Sequence, residues 1–166
     1  SGLDPMISEL VGISLAADST KGYYFPVGHE EGAQLELDEV KKALLPILTN
    51  PDINKVAHNA KFDLVVLQQA GLDVTPITFD TMIAEWVVNP TSRSLGLKAQ
   101  ASERLGVQMT QIEELIGKGK SQISMAAVPI EQAAPYAAAD AVMTLRLVKP
   151  MQEDLRMHAA QKLYHD

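Results

Sequence analysis

Apolar positions change their spacing several times along the chain, and each change marks an element. Leu10–Ala16 (LVGISLA) and Gly22–Val27 (GYYFPV) are short apolar-rich runs separated by polar, turn-like residues, which predicts two strands. A hairpin connection would make them antiparallel, and Pro26 places the second at an edge or at its own end. The loop GHEEGAQ follows, with Glu30 and Glu31 at the surface. Val40, Leu44, Leu45 and Leu48 then recur at helical spacing over Leu37–Leu48, with Asp38 as a cap and Asn50-Pro51 as a stop. Ile53, Val56 and Ala57 form a brief buried strand that feeds a helix: Asn59 is a cap-type residue, Phe62, Val65 and Val66 follow at helical spacing, and Gly71 stands at the C-cap. Thr75–Val88 repeats the strand-to-helix pattern, with Asp80 and Thr81 at the junction and Asn89-Pro90 as the stop. Trp86, at helical spacing from Met82 and Ile83, is expected in the core. Helices are predicted over Leu95–Leu105, closed by Gly106, and over Thr110–Ile116. The loop GKGKSQIS precedes a long helix over Ile130–Leu155, in which Pro135 sits at the first turn or kinks it and Pro150 is the candidate for a second kink, and the tail is helical in propensity. The order of these elements predicts an α/β fold.

Composition narrows the function classes. The 166 residues suit one domain, and 46% apolar content with no low-complexity tract allows a real core. The chain has no Cys, which removes disulfides, thiolate zinc sites and a cysteine nucleophile, and is compatible with a reducing compartment. No apolar run approaches the ~20 residues of a membrane span, and SGLDPM lacks the features of a signal peptide. The net charge of −7 provides no general basic field. Nucleic acid would have to be held through metal ions and a few local Lys or Arg residues.

Two polar clusters carry candidate chemistry. Asn59 and Asp63 are four apart and share a helix face that points to the carboxyl end of the preceding strand, the usual place for a site in an α/β sheet. A helix cap and a first-turn acid facing the helix dipole account for the same residues. Tyr136 and Asp140, also four apart, place a phenol and a carboxylate on one face, kept thin by the intervening alanines. A core aromatic and a solvated acid account for these equally. The Gly117–Lys120 loop offers backbone N–H groups and ammonium charge to phosphates, or is simply solvated. His58 has no His or Cys partner nearby and reads as structural.

Taken together and in order, LVGISLA, GYYFP, HNAKFD (58–63), FDTM (79–82), GKGK and YAAAD (136–140) resemble the 3′–5′ exonuclease (proofreading) domain of bacterial family A DNA polymerases, the DNA polymerase I type. The resemblance covers nearly the whole chain. It implies a ribonuclease H-like fold, a mixed sheet flanked by helices. It also implies four carboxylates that hold two divalent ions, Mg²⁺ or Mn²⁺, and hydrolyse the terminal phosphodiester of single-stranded DNA. Asp63 matches the acid of the second motif and Asp140 that of the third. Tyr136 matches the tyrosine that orients the attacking water, and Asn59 a contact to the DNA strand end. Leu3 matches an apolar side chain packed on the terminal base, and Arg93 lies in the loop where the family often has a DNA-contacting Arg. A polymerase domain in the same parent chain, a bacterial cytoplasmic location, no membrane association and a monomeric state are the corresponding expectations.

The chemistry explains the residue types. A phosphodiester repels an anionic attacking oxygen, and two divalent ions about 3.5–4 Å apart offset that repulsion at both the entering and leaving oxygens. Such hard ions require convergent carboxylates. A tyrosine with an ordinary pKa of about 10 is a poor general base, so its role is to hydrogen-bond the water. The family's first motif, Asp-x-Glu, would by register fall just upstream of Ser1, with the strand that carries it. Asp4 lies past the turn and Glu9 is expected to point elsewhere, so neither substitutes. Two ligands of four are therefore expected here, and little or no nuclease activity from these 166 residues. The retention of Asn59, Asp63, Tyr136 and Asp140 favours a late start over a decayed motif. A silent domain supporting a polymerase, and a ribonuclease D-like RNA 3′-end trimming enzyme, are the alternatives.

Overall fold

The computed structural model describes residues 9–165; Leu3 and the Asp4-Pro5 turn lie outside them. Strands β1 (Gly12–Ala16) and β2 (Gly22–Pro26) pair antiparallel, with Gly12 opposite Pro26 and Ala16 opposite Gly22. Asp18 closes their turn by accepting the N–H groups of Thr20 and Lys21 at 2.7 and 2.9 Å, an Asx arrangement that suits a tight connection. Strands β3 (Lys55–Ala57) and β4 (Ile77–Asp80) pair parallel, as expected of strands joined through a helix. The antiparallel and parallel halves of the expected mixed sheet thus form two separate two-stranded ladders among the described residues.

Among the described residues, seven α-helices surround them: α1 (Leu37–Leu48), α2 (Ala60–Gln69), α3 (Thr81–Val88), α4 (Leu97–Leu105), α5 (Ile112–Ile116), α6 (Ile130–Met157) and α7 (Gln161–His165). α6 runs unbroken through both Pro135 and Pro150 and packs against β1, β2, β3, α3 and α4, so it ties the two ladders into one body. Its contact with β2 is a close one. A Cβ on Gly22 would lie 2.5 Å from the carbonyl oxygen of Ala138, so the alanine run lets the helix backbone rest on the strand. A substitution at Gly22 would push the two apart.

The apolar core has two main parts. Ile13, Val40, Leu44, Leu48 and Leu72 pack α1 against β1, which explains the helical spacing of the α1 leucines. Phe79, Ala84, Val87, Leu147, Met151 and Leu155 pack β4 and α3 on the second half of α6. Leu72 and Leu147 have no exposed surface, and each contributes about 1.5–3 kcal/mol of burial.

Several sequence expectations are corrected. Trp86 is 56% exposed and not in the core. The inward face of α3 is taken by Ala84, Val87 and Glu85, and Glu85 is buried because Arg104 donates to it at 2.5 Å while also bonding Gln100 and Asp154. Asp38 is not the cap of α1; Glu36 holds that position and Asp38 lies in the first turn. The loop after β2 is not all surface. His29 is buried, with Nδ1 2.9 Å from the carbonyl oxygen of Val128 and Nε2 2.7 Å from the Tyr24 hydroxyl, which anchors the loop to the segment before α6. Gly106 ends α4 in the left-handed conformation at φ 65°, as its position predicted. Among the described residues, no helix is long and apolar enough to cross a membrane.

Candidate active site

A solvent-open cavity of about 390 Å³ lies between the two ladders, with β1 and β3 on opposite walls and α2 and α6 closing it. Asp63 from α2 and Tyr136 and Asp140 from α6 all line it. The topology that brings them there is simple: β3 delivers α2 at its carboxyl end, and α6 crosses beneath both ladders. The one-turn spacing of Tyr136 and Asp140 works as read: both residues line the same cavity.

The two acids sit in different electrostatic settings. Asp63 is an exposed residue that lines the cavity. Loss of water there, reinforced by the negative charge of Asp80, pushes its pKa up to about 6. Burial raises Asp140 as well, and Lys98 and the Tyr136 hydrogen bond partly offset the rise. Burial also raises Tyr136, so the phenol stays protonated at neutral pH and serves as a hydrogen-bonding group, not a base.

The Asp63 shift has a stability consequence of definite sign. Its folded pKa lies above the unfolded value of 3.8, so the folded state binds the proton more tightly. The resulting stability is fully present below about pH 3.8 and is lost as pH rises through about 6. Urea unfolding of the chain should therefore show stability falling from pH 5 to pH 7 relative to Asp63→Asn. The slope will be shallow because the residue is open to water. Parallel profiles for the two proteins would show that the carboxyl is not perturbed.

Lys98, which sequence reasoning missed, reaches this site from the first turn of α4. Its ammonium lies 3.0 Å from the Tyr136 hydroxyl and 3.1 Å from Asp140 Oδ1, and 4.3 Å from the Tyr136 ring centroid. Burial pulls the Lys98 pKa down, but the bonds and charges of Tyr136 and Asp140 outweigh it and leave the group raised and charged. In sequence Lys98 is one of two cations in a short helix, 42 residues from its partner; no local pattern distinguishes it from a solvated one.

Asn59 sits elsewhere. It occupies the N-cap of α2 in the left-handed conformation, φ 61° and ψ 51°, and its side chain makes no cap bond. It lines a neighbouring cleft with Lys61, Met82 and Tyr164. The four-residue rule holds only within a helix, and Asn59 lies just before one. The capping oxygens come instead from Asp80, which accepts the N–H groups of Asn59 and Ala60 at 3.2 and 2.7 Å and those of Met82 and Ile83 at 2.9 and 3.3 Å. One buried carboxylate thus holds the starts of both α2 and α3. His58 is structural as expected, its Nδ1 2.8 Å from the Thr81 hydroxyl. Arg93 is exposed and does not line the cavity. Glu9 does line it, at the rim, contrary to the expectation that it points elsewhere.

The donor set fits a hard divalent ion in part. Asp63 and Asp140 offer carboxylate oxygens to one cavity, and an ion that keeps several waters accepts a ligand set of that kind. Among the described residues, no group of three or more His, Asp or Glu is placed to hold a metal.

Comparison with known proteins decides the family. The sequence matches the family described as 3′–5′ exonuclease over residues 1–156. It is 47% identical over 168 aligned residues to DNA polymerase I of Chloroflexus aurantiacus, covering 100% of this chain and 17% of that protein. It is 33% identical over 160 residues to DNA polymerase I of Pseudomonas aeruginosa, covering 93% of this chain and 18% of that one. The chain belongs to the 3′–5′ exonuclease family of DNA polymerase I. It spans less than a fifth of the length of these relatives. The exonuclease domain also shares its fold with Brucella melitensis NrnC, at TM-score 0.74 and 24% identity over 98% of this chain and 73% of that one. Escherichia coli RNase D is a more distant neighbour, at TM-score 0.58 and 20% identity over 87% and 36%. The fold is that of ribonuclease H-like exonucleases, α/β as the motif order predicted.

Proposed function

We propose that the cavity between the ladders is a metal-dependent centre that removes nucleotides from the 3′ end of single-stranded DNA, in a bacterial cytoplasmic protein that also carries a polymerase domain. The observation that carries this reading is the convergence of Asp63, Tyr136 and Asp140 on one open cavity from two helices far apart in sequence. Asp63 and Asp140 are the residues that would hold Mg²⁺ or Mn²⁺. Two such ions, when bound, supply charge neutralisation at the entering and leaving oxygens of the phosphodiester. Tyr136, protonated and held by the Lys98 ammonium, orients the attacking water; it does not take its proton. Asn59 is assigned to the end of the DNA strand, Leu3 to the terminal base and Arg93 to a DNA contact from its loop.

With two carboxylates a hard ion is held weakly, so the 166 residues alone are expected to turn over slowly. The test is release of nucleoside monophosphates from 3′-labelled single-stranded DNA with Mn²⁺, for the 166-residue chain and for the full-length protein that carries it. The full-length protein should hydrolyse DNA at least about 100-fold faster than the short chain, the size of effect expected when an incomplete metal site is completed. Equal, Asp63-dependent rates would overturn the two-ligand reading. Faster trimming of an RNA of the same sequence would favour the ribonuclease D-like reading instead.

A further inference from the structure

We propose that Lys98 is a positioning residue of this centre, holding the Tyr136 hydroxyl in place and competing with the divalent ion for Asp140. The inference rests on the metal-dependent reading above.

An ammonium has three protons to donate and nothing to accept with. Lys98 directs one proton to the Tyr136 hydroxyl oxygen at 3.0 Å and one to Asp140 Oδ1 at 3.1 Å. The ammonium therefore bridges the hydroxyl and the carboxylate and fixes each relative to the other. The ammonium also lies over the face of the Tyr136 ring, 4.3 Å from its centroid, which adds a cation–π attraction and restrains the ring. The Lys98 and Asp140 side chains are only 18% and 29% exposed, so neither reorients freely in water. Gly96 begins α4 and places Lys98 in its first turn, where the helix backbone limits the reach of the side chain.

Two consequences follow with opposite signs. Lys98 supplies positive charge to the same carboxylate that a divalent ion needs, so its removal should tighten ion binding. It also fixes the hydroxyl that orients the water, so its removal should slow the chemistry. A residue that merely stabilised the fold would weaken both together.

The experiment measures Mn²⁺ binding by isothermal titration calorimetry, and kcat on single-stranded DNA at saturating Mn²⁺, for the full-length protein and for Lys98→Met, Lys98→Arg and Asp140→Asn. Thermal melts check folding, with Lys98→Gln as the second neutral variant should Lys98→Met melt early. Lys98→Met is expected to bind Mn²⁺ about tenfold more tightly, the effect of removing one competing charge at a partly exposed site. Its kcat should fall about 10- to 100-fold, as for loss of a group that orients a metal-site residue. Lys98→Arg, which keeps the charge, should bind Mn²⁺ like the wild type and recover part of kcat. Unchanged or weaker Mn²⁺ binding in both neutral variants overturns the competition, and an unchanged kcat overturns the positioning role. Failure of the underlying reading looks different: the wild-type protein itself would then bind Mn²⁺ no better than Asp140→Asn.

Discussion

Asp140→Asn in the full-length protein is expected to lower metal-dependent release of mononucleotides from single-stranded DNA by about 1,000-fold. The reasoning starts from charge. Asp140 lines the cavity together with Asp63, and its carboxylate receives a hydrogen bond from Lys98. Replacing it with an amide removes one of two anionic ligands among the described residues and leaves the Lys98 ammonium without its charge partner. Loss of several kcal/mol of transition-state charge stabilisation corresponds to about that factor in rate. The fold should survive, because Asp140 is partly exposed and Asn keeps the size of the side chain. A melting temperature within a few degrees of wild type would show that the loss is chemical. A fall of less than tenfold would remove Asp140 from the metal site and leave the cavity with one candidate ligand.

Asp80→Ala is expected to destabilise the chain by about 3 kcal/mol, although Asp80 is no part of the proposed chemistry. Its carboxylate accepts four backbone N–H groups, two at the start of α2 and two at the start of α3. Each helix loses its cap, and the freed N–H groups are partly buried with nothing to replace the acceptor. The backbone N–H of Asp80 is itself held by the Tyr164 hydroxyl at 2.6 Å, which ties α7 to the same junction. For a chain of this size the loss corresponds to a drop of about 6–12 °C in melting temperature. Calorimetry or thermal denaturation by circular dichroism measures it. Asp80→Asn, which keeps one carbonyl oxygen as an acceptor, should recover part of the difference. A drop of under 2 °C for the alanine variant would mean that the two caps are dispensable. Because α2 carries Asp63, a destabilised junction should also weaken Mn²⁺ binding, without any change in the ligands themselves.

The amphipathic spacing of α1, the apolar runs of β1 and β2, and the left-handed Gly106 after α4 were all legible from short stretches of chain, because periodicity and turn chemistry act over ten residues or fewer. The spacing and order of HNAKFD, FDTM and YAAAD were enough to mark the family, and with it the fold. Within α6, the one-turn offset of Tyr136 and Asp140 could be read directly, since both lie inside the helix. What no local pattern contains is which polar group meets which. Trp86 faces water because Glu85, paired with Arg104 from 19 residues away, takes the inward side of α3. Asn59 stands at the cap position of α2, but Asp80, 21 residues on, does the capping. Lys98 completes the Tyr136–Asp140 pair from a separate helix. In each case a buried polar or charged group has to find a partner, and only chain folding sets which partner is within reach.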